Sequence, residues 1–202
     1  MGHRNFAIMG GTFDPVHMGH LLIAEQAYNN FELDRIIFMP AGFPPHKTDR
    51  SITAAYHRLN MLKIAIEDNP HFTFSCYELK KRGKSYTAET LRYFKQLPSS
   101  NEFDLIIGAD SLAEIFTWKE PEYILGQMRL IVASRPGYSP LKLLKEPHYK
   151  KYIDNIAIMD EVKADISSSF IRRELKNNRS IRYLVPDRVI EYINKNNLYR
   201  SD

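Results

Sequence analysis

Ile8-Met9-Gly10-Gly11-Thr12-Phe13-Asp14-Pro15-Val16-His17-Met18-Gly19-His20 joins the first expected strand of the chain to its first expected helix. It follows a short apolar run, Asn5 to Met9, that predicts a strand. It precedes Leu21-Leu22-Ile23-Ala24-Glu25-Gln26-Ala27, which predicts a helix. A glycine-rich turn between a strand and a helix start is where α/β proteins bind phosphate. Free backbone N–H groups point outward there, and the helix dipole adds partial positive charge. Gly10 and Gly11 let a phosphate chain approach the backbone, and Gly19 leaves room beside the helix start. His17 and His20, three residues apart, add donors on one face. The combination suits a polyphosphate whose charge changes during reaction.

Working outward, the chain alternates strand and helix patterns. Arg4–Met9, Arg35–Pro40, Phe72–Tyr77, Asp104–Ile107, Arg129–Ala133 and Asn155–Met159 are expected strands. Gly19–Phe31, Ala54–Asp68 (capped by Thr53), Thr87–Leu97, Ser168–Lys176 and Pro186–Asn194 are expected helices. Such alternation predicts an α/β fold, a doubly wound and mostly parallel sheet of Rossmann-like type, with a small helical C-terminal part. Residues 1–202 read as one domain, without internal repeat or linker. Ligands bind such sheets at the carboxyl ends of the strands. The Gly10–His20 turn, the Pro44-Pro45-His46-Lys47 loop, Gly108-Ala109-Asp110 and Arg135 each follow an expected strand.

Composition narrows the classes. The 202 residues carry 28 Lys plus Arg against 24 Asp plus Glu, a net charge of +4. With no dense basic block, that mild excess fits an anionic small molecule and gives no support to nucleic acid. The single cysteine, Cys76, rules out an intrachain disulfide and suits a reduced setting. No signal-peptide core and no run of about 20 apolar residues occurs, so a cytoplasmic protein without a membrane span is expected. Cys76 reads as packing, His57 and His71 have no metal-ligand partner at useful spacing, and Lys80–Lys84 reads as a solvated loop.

Neither Gly-x-Gly-x-x-Gly nor Gly-x-x-x-x-Gly-Lys-Ser/Thr is present, which argues against a hydride-transfer Rossmann enzyme and a P-loop kinase. What stands instead is Gly-Gly-Thr-Phe-Asp-Pro-x-His-x-Gly-His, and Ile166-Ser167-Ser168-Ser169-Phe170-Ile171-Arg172 about 150 residues on. The pair resembles the nucleotidylyltransferase superfamily. His-x-Gly-His falls on His17 to His20, and the second element resembles Ile-Ser-Ser-Thr-x-Ile-Arg, with Ser169 in the usual Thr place. Hydroxyls and N–H groups at that second helix start would hold anions, with Arg172 as a charged fork. Further matches look like bacterial nicotinate-nucleotide adenylyltransferases: the Pro-Pro-His-Lys loop, Ser85-Tyr86-Thr87, Gly108-Ala109-Asp110-Ser111 and Phe116-Thr117-Trp118-Lys119. The similarity runs from Arg4 to about Leu198.

That resemblance implies an enzyme of NAD biosynthesis. It would transfer AMP from ATP to nicotinate mononucleotide, giving nicotinate adenine dinucleotide and pyrophosphate. His17, His20, Lys47 and Arg172 would act on the reacting phosphates. A positioned donor aimed at developing charge is worth on the order of 3–4 kcal/mol. Gly10, Gly11, Thr12, Phe13, His20, Gly108, Asp110, Ile166, Ser168, Ser169 and Arg172 would bind ATP, with Asp110 accepting from ribose hydroxyls. Trp118 would stack on the pyridine ring, and Tyr86, Thr87 and the backbone near Lys119 would receive its carboxylate. Arg135 would lie beside the nucleotide. Mg2+ is expected with ATP, held by phosphate oxygens and water rather than by protein ligands. A homo-oligomer is compatible with the sequence. The nearest rivals are the same transfer to nicotinamide mononucleotide or phosphopantetheine. The phosphopantetheine enzyme resembles a chain with Thr in the first His position, which His17 contradicts. A non-catalytic nucleotide sensor on the same fold would be expected to lose His20 or Lys47, and both are present.

Overall fold

A computed structural model describes residues 5–43, 52–97, 101–160 and 165–200. Its centre is a six-stranded, all-parallel sheet in the order β3-β2-β1-β4-β5-β6. The strands are β1 (Asn5–Gly11), β2 (Arg35–Pro40), β3 (Phe72–Phe74), β4 (Glu102–Gly108), β5 (Leu130–Ala133) and β6 (Ile156–Met159). The helices are α1 (Met18–Asn30), α2 (Ala55–Ile66), α3 (Tyr77–Lys80), α4 (Thr87–Lys95), α5 (Ala109–Ala113), α6 (Pro121–Gln127), α7 (Pro140–Leu143), α8 (Ser168–Lys176) and α9 (Asp187–Lys195). Tight 3-10 segments cover Ile115–Thr117 and Pro147–Asn155.

Successive strand residues point to opposite faces, so each strand feeds two cores. Ala7, Met9, Ile36, Phe38, Ile106 and Ile131 meet α1, α2, α8 and α9 through Ala24, Leu62, Ile171 and Val189. Ile8, Ile37, Leu105, Ile107 and Val132 meet the other layer through Leu91, Leu112, Leu125 and Tyr149. Strands buried on both faces are nearly continuous apolar runs, which is why four-residue β5 is wholly buried.

Strand order reverses at β1, whose neighbours are β2 and β4. Chains leaving β1 and β4 diverge to opposite faces and open a crevice at their carboxyl ends. The expected doubly wound fold is therefore present, with corrections at its edges. β3 ends at Phe74 rather than Tyr77. Ser75 N–H closes its ladder on the Phe38 carbonyl at 2.9 Å, and Tyr77 turns away to stack on Tyr93 at 3.9 Å. Thr53 does not cap α2; the cap position is Ala54. Pro186 sits at the cap position of α9, just before its first turn.

Candidate active site

The turn after β1 folds onto the start of α1. His17 occupies the cap position with extended backbone (φ −147°), and its N–H donates to Nδ1 of His20 at 3.2 Å. That bond leaves the His20 proton on Nε2, as a donor. The two rings stack with centroids 3.6 Å apart. Gly19 lies close beneath this pair. A Cβ there would lie 3.1 Å from His17 Nδ1 and 3.4 Å from Ile166 Cβ.

Both imidazoles are held neutral at pH 7. Burial, reinforced by the positive charge of Arg135, pushes His17 down to about 4. Burial, then His17 and Arg135, pushes His20 well below the usual histidine range. Two imidazolium rings in contact would repel. Their natural role here is as neutral hydrogen-bond donors. His17 Nδ1 is buried without a hydrogen-bond partner among the described residues.

The second helix start comes from α8. Ser167 caps it by accepting the Phe170 N–H at 3.2 Å, and Ser169 Oγ lies 3.2 Å from Ser167 Oγ. Ser168 Oγ donates to the Pro15 carbonyl at 2.9 Å, and Arg172 Nη1 donates to the Asp14 carbonyl at 2.7 Å. Those bonds tie the start of α8 to the loop that feeds α1. Neither helix carries an acidic residue in its first turn, so neither positive end is neutralised locally.

Both starts open on a cavity of about 680 Å3. Gly10, Gly11, Thr12, His17, His20, Ile166, Ser168, Ser169 and Arg172 line one side. No atom outside its chain neighbours would come within 4 Å of a Cβ on Gly10. Gly108, Asp110 and Arg135 line the cavity from the ends of β4 and β5, and Tyr86, Thr87, Trp118 and Lys119 line it from the α4 side. Asp110 is the second residue of α5, not its cap. It pairs with Arg135 at 2.5 Å, so its carboxylate is held by that guanidinium. Lys119 Nζ lies 4.6 Å over the Tyr86 ring and 2.7 Å from Glu89. The Trp118 backbone N–H is spent on the Ile115 carbonyl at 3.0 Å, and at the start of α4 the N–H groups of Glu89 and Thr90 are spent on the Tyr86 carbonyl.

Two expected residues stand apart. The Phe13 side chain is buried beneath the cavity, edge-on to His20 at 5.0 Å and against Phe38, instead of lining it. Lys47 and its Pro44-Pro45-His46 neighbours lie outside the described residues. Several residues escaped the sequence reading. Glu78 lines the cavity and accepts from Thr90 Oγ1 at 2.6 Å; burial raises its carboxyl above the usual range. Buried Asp14 and Arg58, with half-buried Tyr199, form a polar cluster behind the β1 turn. The place of Asp14 inside the glycine-rich motif is the one sequence signal that points to it.

A doubly wound parallel sheet with two helix starts and a neutral imidazole pair opening on one crevice defines a protein of the nucleotidyl-transferring α/β class. The cytidylyltransferase-like family model matches residues 8–174. A Desulfitobacterium hafniense (strain Y51) protein named "probable nicotinate-nucleotide adenylyltransferase" is 43% identical over 199 residues, 98% of this chain and 96% of the relative. A protein of the same name from Clostridium botulinum (strain Alaska E43) is 43% identical over 201 residues, covering 98% of this chain and all of the relative, 100%. The chain belongs to the nicotinate-nucleotide adenylyltransferase family. A Plasmodium falciparum nicotinic acid mononucleotide adenylyltransferase, solved in complex with NaAD, superposes with a TM-score of 0.81 over 98% of both chains at 24% identity. That likeness confirms the fold.

Proposed function

We propose that this protein transfers AMP from ATP to nicotinate mononucleotide, releasing pyrophosphate and nicotinate adenine dinucleotide, a step of NAD biosynthesis. One observation carries the reading. A single cavity holds two unneutralised helix starts and two neutral imidazoles at one side, with the only Trp and the start of α4 at another. Family membership at 43% identity supports the same substrates.

An oxygen of the mononucleotide phosphate attacks the α-phosphorus in line. The new O–P bond forms as the bond to the β-phosphate oxygen breaks, and its electrons leave with pyrophosphate. The attacking oxygen is already anionic, so no protein base is needed. Catalysis is positioning and charge stabilisation. His17 and His20 donate to the α-phosphoryl oxygens as charge builds. The negative charge of a bound phosphate would raise their basicity. Ser168, Ser169 and Arg172, with Lys47, hold the departing β,γ portion. Asp110 and Arg135 lie beside the nucleoside, and Trp118, Tyr86 and Thr87 take the pyridine ring and its carboxylate.

Among the described residues no group of three or more His, Cys, Asp or Glu side chains could hold a metal ion. We propose that Mg2+ arrives on ATP and neutralises part of the triphosphate charge. No helix among the described residues is long and apolar enough to cross a membrane, and the lone Cys76 supports a cytoplasmic location.

The test is pyrophosphate release from ATP and magnesium with nicotinate mononucleotide or nicotinamide mononucleotide in parallel. Release with the nicotinate substrate in clear excess is expected. No release with either mononucleotide would remove the reading, and equal rates would remove its acceptor assignment.

A further inference from the structure

Arg58 is the fourth residue of α2, in its first turn, with only 1% of its surface exposed. Burying a guanidinium costs several kcal/mol unless its donors are met, and an apolar side chain of similar volume often serves stability equally well. Here the donors are spent on backbone carbonyls: Nε on Thr53 at 3.0 Å, Nη1 on Thr12 at 2.8 Å and Nη2 on Gly42 at 3.4 Å. Thr12 and Gly42 lie just beyond the carboxyl ends of β1 and β2. Arg58 thus spans the rim of the crevice from behind without lining the cavity.

Asp14 completes the cluster at 2% exposure. Its Oδ1 accepts the Tyr199 hydroxyl at 2.6 Å, and its Oδ2 accepts the Thr53 N–H at 3.2 Å. Tyr199 comes from the segment after α9, 185 residues along the chain. Residues 12–15 are therefore gripped on their hidden side by α2, α8 and the C-terminal segment. Their continuation presents Thr12 and His17 to the cavity. A neighbouring glycine fits the same scheme: a Cβ on Gly42 would sit 2.4 Å from the Glu78 carbonyl oxygen, so that rim has no slack.

We propose that Arg58 and Tyr199 are positioning residues for the transfer step, acting through the Thr12 carbonyl and the Asp14 carboxylate to hold the β1 turn and its imidazoles in register with the α-phosphate. The proposal rests on the adenylyl-transfer reading above. Neither side chain touches substrate. Their effect falls on kcat, because a small misplacement of a group that acts on the transition state costs rate while leaving ground-state contacts largely intact.

The experiment compares Arg58→Met, Arg58→Lys and Tyr199→Phe in the full chain, with Leu125→Ala on the far side of the sheet as a control for lost stability. Pyrophosphate release is measured at a temperature well below every thermal midpoint. Arg58→Met is expected to lower kcat on the order of a hundredfold, with either KM within a few-fold. Arg58→Lys should recover part of that loss, and Tyr199→Phe, which keeps the ring, should show a smaller fall in kcat alone. Leu125→Ala should lower the midpoint at least as far with kcat unchanged. Should Arg58→Met prove insoluble, Tyr199→Phe carries the test by itself. Parental kcat in the folded variants, or a loss matched by Leu125→Ala at equal midpoint, overturns the positioning role while leaving the reaction intact. A parent protein that releases no pyrophosphate overturns the reaction, and this role with it.

Discussion

Gly19→Ala separates the stability of the imidazole pair from its catalytic use. Gly19 is buried at the second position of α1, two residues after His17. Alanine favours a helix over glycine by at most about 1 kcal/mol. Against that gain, the new Cβ would lie 3.1 Å from Nδ1 and 3.2 Å from Cε1 of His17, and 3.4 Å from Ile166 Cβ. Those contacts are a few tenths of an ångström too close, and His20, stacked at 3.6 Å, limits where the His17 ring can go. Crowding of that size costs on the order of 1 kcal/mol. The opposing effects nearly cancel, so the thermal midpoint should stay within about 5 °C of the parent. Catalysis has no such compensation. A displacement of 1 Å costs roughly a hundredfold, and the smaller shift here should cost about tenfold in kcat. Calorimetry and pyrophosphate release at saturating substrates measure the two quantities side by side. A kcat within twofold of the parent, at an unchanged midpoint, would refute the claim that the His17 ring must sit where it does.

Further outcomes follow from the site. His17 is lowered from 6.5 to about 4 in the folded chain. Between those values the unfolded chain binds a proton that the folded chain refuses, so stability is complete above pH 6.5 and falls as pH drops towards 4. The loss from His17 is on the order of 3 kcal/mol, and His17→Ala should make the pH dependence of the denaturation midpoint shallower over that window, with the His20 contribution remaining; an unchanged slope would contradict a buried neutral imidazole at position 17. Trp118→Ala should raise KM for nicotinate mononucleotide about tenfold with little change for ATP, as expected for a lost stacking partner. Since Trp118 is the only Trp, its fluorescence should change when that mononucleotide binds the parent; constant emission would count against stacking. Arg172→Met removes a guanidinium from the triphosphate side and its bond to the Asp14 carbonyl. KM for ATP should rise at least tenfold, as for a lost charge-assisted hydrogen bond, and an unchanged KM would remove Arg172 from the ATP site.

Much of this was legible in the sequence because the decisive elements are local. A strand buried on both faces is a short apolar run, and β1, β2, β4, β5 and β6 stand out on that ground alone. The two motifs pointed to His17, His20 and the α8 start, which line one cavity, because each motif is set by spacing within a single turn of chain. Other features escaped for physical reasons. Short helices such as Ala109–Ala113 and Pro121–Gln127 hold too few turns for a periodic stripe to emerge. The end of β3 depends on its one partner, because β2 offers it only Ile36–Phe38. Arg58 sits in a helix where pattern alone assigns an arginine to solvent, and only the fold brings Thr12, Gly42 and Thr53 to its donors. Thr53 was misread for the same reason: its backbone, spent on Asp14 and Arg58, matters more than its hydroxyl.

The central claim is that the paired imidazoles and the two helix starts grip one triphosphate. A crystal structure with a nonhydrolysable ATP analogue and magnesium tests it most directly. The α-phosphoryl oxygens are expected at about 3 Å from imidazole nitrogens of His17 and His20, and the β,γ portion between Gly10–Thr12 and Ser168–Arg172. Phosphorus atoms bound elsewhere, with the His17–His20 stack facing only solvent, would contradict it.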